Sequence, residues 1–100
     1  MVIYNKAIRD KIPEIIKESG KNCNVKKLDD SEFLVQLEKK LVEELAEYQE
    51  SKNVEELADV LEVIYRISNL KGFDLDKARL EKIEKRGKFE KNLFLVDTSD

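Results

Sequence analysis

The chain has no histidine and no tryptophan, and its 100 residues include only one cysteine, one proline and three glycines. Without an imidazole there is no Ser-His-Asp arrangement, no histidine general base and no histidine-containing zinc site. A ferritin-like di-iron bundle, which takes Glu-x-x-His ligands from its helices, is disfavoured for the same reason. A lone Cys23 allows no disulfide within the chain and no thiolate cluster; it reads as a small filler in the polar loop after Gly20. No apolar run reaches membrane-spanning length, and the first residues lack the continuous apolar core of a signal peptide. The expectation is a cytoplasmic protein with no membrane partner. Lys and Arg number 19 against 22 Asp and Glu, a net charge of −3 with the signs intermixed. Such a surface has no global field to draw it onto nucleic acid.

What is present favours helices. Charged residues make up 41% of the chain and hydrophobic residues another 41%, with few breakers, which predicts a single all-α domain over residues 1–100. A short apolar stretch, Val2-Ile3-Tyr4, reads as extended. Asp10 and Pro13 mark a helix entry, Ile12, Ile15 and Ile16 form its apolar face, and Gly20 stops it. A long helix follows from Asp29 or Asp30, with Glu32 placed as in a capping box, to about Glu50. Asn53 caps a third helix from Val54 to about Leu70, ended by Gly72. A fourth starts at Asp74 or Asp76 and closes near Gly87, and the apolar segment Phe89 to Val96 reads as extended again. The second and third helices form an antiparallel hairpin flanked by the other two. Their apolar residues run around more than half the circumference, more than one hairpin can bury. A homodimer or higher homo-oligomer completing a four-helix core is therefore expected.

Two acidic patches interrupt this pattern: Glu43-Glu44-Leu45-Ala46-Glu47 and Glu55-Glu56-Leu57-Ala58-Asp59. Residues three apart are neighbours on a helix face. A short turn between the helices would bring Glu44, Glu47, Glu56 and Asp59 to one seam. At about 100° per residue, Glu44 borders the arc of Leu37, Leu41 and Tyr48, and Glu56 falls among Val60, Val63 and Ile67. Glu62 lies further off, on the side of solvated charge. Carboxylates gathered in a core are costly unless a cation joins them. A hard divalent ion, Mg²⁺ or Mn²⁺, suits an all-oxygen set and brings phosphate-bearing ligands with it. The other reading is a solvated acidic face, with Glu55 and Glu56 favoured in a first turn by the helix dipole. Spacing alone leaves both open.

The residues Glu44-Leu45-Ala46-Glu47 followed by Glu56-Leu57-Ala58-Asp59 resemble the Glu-x-x-Glu and Glu-x-x-Asp hallmark of the all-α nucleoside triphosphate pyrophosphohydrolase superfamily, which includes MazG-like enzymes and phosphoribosyl-ATP pyrophosphohydrolase. Lys40-Leu41-Val42-Glu43-Glu44 is similar to the lead-in of the phosphoribosyl-ATP enzymes. Tyr4-Asn5-Lys6-Ala7-Ile8-Arg9-Asp10-Lys11-Ile12-Pro13 and Lys85-Arg86-Gly87-Lys88-Phe89 look like a small stand-alone branch of predicted house-cleaning enzymes. The resemblance implies hydrolysis of a nucleotide between its α and β phosphates, giving a monophosphate and pyrophosphate with Mg²⁺ or Mn²⁺. It implies Glu44, Glu47, Glu56 and Asp59 as metal ligands, and Lys40, Arg9, Lys11, Lys85 and Arg86 as phosphate contacts. Either Glu43 or Glu47 would orient or deprotonate the water. Only eight residues, Tyr48 to Glu55, separate the two motifs, so the turn is tight. Rival readings are a non-catalytic helical dimerisation or adaptor module and a nucleotide-binding sensor without turnover.

Overall fold

A computed structural model describes residues 1–100 and contains four helices and no strand. They are α1 (Ile12–Glu18), α2 (Asp30–Ser51), α3 (Val54–Lys71) and α4 (Leu75–Arg86), so the all-α class expected from composition is what folds. Local chemistry sets most of the ends. Asp29 caps α2, its carboxylate accepting from the Glu32 N–H at 2.8 Å. Asn53 caps α3 in the same way, accepting from the Glu56 N–H at 3.2 Å, and Asp74 caps α4 through the Lys77 N–H. The end of α3 is a Schellman turn. Gly72 takes φ of 68° and donates to the Asn69 carbonyl, while the Phe73 N–H reaches the Ser68 carbonyl at 3.0 Å.

The start of α1 differs from expectation. Lys11, not Asp10, occupies the cap position, and no side chain bonds the free N–H groups there. Pro13 in the first turn has no N–H to satisfy, which lessens the need for a cap. Residues 2–4 and 89–96 join no sheet.

Only Lys52 and Asn53 separate α2 from α3, so the two helices fold back as an antiparallel hairpin, the one helix pair that packs side by side over a long contact. Its core is thin. Ala7, Leu37 and Val63 are buried together, with Phe33, Leu41, Ile67 and Leu70 packed around them. Ala7 precedes α1, and its burial pins the segment before that helix into the groove between α2 and α3. That segment sets up the site.

Candidate functional site

With Ala7 as anchor, residues Ala7 to Lys11 lie over one face of the hairpin and enclose a cleft of about 580 Å³. Phe33, Leu37, Lys40 and Glu44 of α2 line one wall; Asp59, Glu62, Val63 and Arg66 of α3 line the other. Leu37, Lys40 and Glu44 follow at three- and four-residue spacing, which stacks them up a single helix face. Asp59, Glu62, Val63 and Arg66 do the same on α3.

The segment is tied down by charge on both sides. Lys6 Nζ donates to Glu43 Oε1 on α2 at 3.0 Å, and Arg9 Nη2 donates to Asp59 Oδ1 on α3 at 2.7 Å. The Lys6–Glu43 hydrogen bond holds the Glu43 carboxyl below its usual range and raises the Lys6 ammonium above its own. The side chains of both ion pairs are a third to a half exposed, so they position the segment more than they stabilise it.

Glu44 is the exceptional group. It is only 5% exposed, the one charged residue among the buried set. Its Oε1 lies 3.3 Å from Lys40 Nζ, but its Oε2 is buried with no hydrogen-bond partner. Burial pushes the Glu44 carboxyl above the usual carboxylate range, and the neighbouring Glu47 carboxyl adds to the shift, while Lys40 opposes it. One oxygen from each of Glu43, Glu44 and Glu47 lies within 4.8 Å of the others. An orphaned buried oxygen beside two more carboxylates, with no nitrogen or sulfur donor among them, fits a hard divalent cation.

The structure therefore brings Glu44, Asp59, Lys40, Arg9 and Lys11 to one cleft, with Glu43 and Glu47 in the cluster at its edge. Glu56 is half-buried in the first turn of α3 and belongs neither to that cluster nor to the cleft lining. Lys85 and Arg86 are exposed in the last turn of α4, away from the cleft wall. Four charged residues join the site that had been given no role in it: Lys6, Asp10, Glu62 and Arg66. Arg66 follows Asp59 by seven residues, two helical turns, so its facing was available from spacing alone. Glu62 is exposed as its position implies, yet its side chain still borders the cleft. Lys6 lies outside any helix, where no periodicity can place it.

A second hollow, of about 340 Å³, lies at the Schellman turn around Ser68, Phe73, Asp74 and Asp76, with no cationic side chain in its lining. No protein-family model, curated protein or solved structure matches this chain. What the cleft does has to follow from its own side chains.

Proposed function

We propose that this cleft is the active site of a metal-dependent nucleotide pyrophosphohydrolase, cleaving the α–β phosphoanhydride of a nucleoside triphosphate or related nucleotide in the cytoplasm. The observation that carries the reading is Glu44, an anionic group folded out of water with one oxygen left for a cation and cationic side chains around it. Glu44 and Glu47 would hold Mg²⁺ or Mn²⁺ from α2, with Asp59 contributing from α3. When bound, the ion offsets phosphate charge and lowers the pKa of water.

The chain's own residues supply the remainder. Lys40, Arg9 and Lys11 line the cleft as donors for phosphate oxygens, and Arg66 adds a planar fork suited to two of them. Leu37, Val63 and Phe33 give it an apolar floor that strengthens these charge contacts. Glu43, bonded to Lys6, and Glu47, beside Glu44, are the two candidates for orienting the water or accepting its proton. The reading includes self-association as a homodimer or higher oligomer.

One observation favours the adaptor reading: apolar side chains remain exposed on the far face of the hairpin. Pyrophosphate release from a panel of nucleotides with Mg²⁺ or Mn²⁺ separates the alternatives. Turnover that disappears in Glu44→Gln, with helical content unchanged, is the expected result. Metal- and nucleotide-dependent thermal shifts without turnover would identify a sensor, and no shift with either would leave the adaptor.

A further inference from the structure

After α4 the chain runs on through a largely apolar segment whose apolar side chains are almost fully exposed. Phe89 is 101% exposed, Leu93 87%, Phe94 88%, Leu95 78% and Val96 81%. Consecutive side chains of an extended segment point to opposite sides. Residues 93–96 lie outside helix and turn, and laid out as a strand they would put Leu93 and Leu95 on one side and Phe94 and Val96 on the other. A segment apolar on both sides needs cover on both.

The hairpin offers a matching surface. Leu57, Leu61 and Tyr65 repeat along α3 at four-residue spacing and are 41–48% exposed, and Val42 and Leu45 continue the patch on α2. Val42 is two residues from Glu44, and Leu61 two from Asp59, which is about 200° around each helix. The patch thus lies on the side away from the cleft. Its length along α3, from Leu57 to Tyr65, is about 12 Å, and four extended residues span about 13 Å.

Surface area indicates how much cover is missing. The chain exposes 9496 Å² at 11.7 kDa, against about 5,900 Å² for a folded monomer of that mass. The excess, roughly 3,600 Å², exceeds what a stable homodimer removes from each copy. Folding the arm back onto its own hairpin would cover only one of its two apolar sides. A second copy supplies the other.

We propose that residues 89–96 form the interfacial arm of a homodimer, packed between the open hairpin faces of two copies of this chain. A two-fold arrangement closes the interface, because each copy gives an arm and accepts one. The interface leaves the cleft open on the opposite side, and it stands independently of the reaction assigned to that cleft.

Sedimentation of the full chain tests this. The wild type is expected as a dimer at about 100 µM, and Phe94→Glu with Val96→Glu is expected to weaken self-association by at least about tenfold. Both side chains are exposed within one copy, so the variant keeps its helical content. A second measurement uses chains with Cys23→Ser that carry either Leu95→Cys or Leu61→Cys. Mixed and oxidised, they are expected to form a disulfide-linked pair, which can only join two copies. A monomeric wild type, a dimer unaffected by the double substitution, or a mixture without the linked pair overturns the proposal. Mn²⁺ binding by the double variant, followed by electron paramagnetic resonance, reports on the cleft separately.

Discussion

Burial takes Glu44 out of water while Lys40 answers only one of its two oxygens, so the ion-free chain holds a carboxylate that water solvated better. The sign of its pH effect follows. With its folded pKa above the ordinary 4.5, Glu44 favours the fold most where both states are protonated, and that advantage is lost as pH rises through the raised value. Glu44→Gln should therefore stabilise the ion-free protein at neutral pH by about 1–3 kcal/mol, read as a higher melting temperature. The same substitution should remove the stabilisation that Mn²⁺ gives the wild type, as measured by thermal shift from pH 5 to 8. Ion binding needs the deprotonated carboxylate, so wild-type affinity should climb with pH over the lower part of that range. Glu43 behaves oppositely. Its depressed pKa contributes stability above the ordinary 4.5 that is lost as pH falls through the lowered value. Because the pair is exposed, Lys6→Ala should cost less than about 1 kcal/mol in chemical denaturation. Helical facing placed Glu56 inside its apolar arc and Glu44 only at the edge of its own, yet Glu44 is the buried one and Glu56 is half-buried. Neither that reversal nor the unpartnered oxygen was legible in the sequence, since both depend on which neighbours fill the space around each side chain.

At the scale of elements, the two-residue link between α2 and α3 concentrates the demands on sequence. Lys52 adopts φ of 59°, a left-handed conformation that an L side chain takes only at some cost, and Asn53 must cap the next helix at once. Lys52→Gly should stabilise the protein by up to about 1 kcal/mol, and Asn53→Ala should destabilise it by about 1 kcal/mol, both read from urea unfolding. The second substitution also loosens the turn that bears Glu56 and Asp59, so any metal affinity that depends on α3 should fall with it. Helix ends at Asn53, Gly72 and Asp74 could be read in advance because a cap is a matter of three or four adjacent residues. The start of α1 could not. Asp10 has the right chemistry for a cap, but the chain turns one residue later, where the pinned segment ending at Lys11 meets the helix.

The whole molecule is extended, 62 by 31 by 22 Å, with a radius of gyration of 18.2 Å against about 13 Å for a compact domain of this length. A core of so few buried side chains offsets little of the entropy of ordering 100 residues, and the dimer proposed above would supply further burial. The melting temperature should accordingly rise with protein concentration in differential scanning calorimetry, and a constant value over a hundredfold range would count against self-association. No helix is long and apolar enough to cross a membrane. The sequence by itself determined the four helices, the caps of α2, α3 and α4 and the grouping of acidic residues on two of the helices, because helical periodicity and capping act over a few neighbouring positions. Only the tertiary structure decided which charges meet. Lys6 finds Glu43 across 37 residues and Arg9 finds Asp59 across 50, while Glu56 stays outside the cluster its spacing promised. The reason is that facing is a local property of one helix, but contact requires a second surface. Burial of Ala7 between α2 and α3 is what fixes where the segment carrying Lys6 and Arg9 comes to rest.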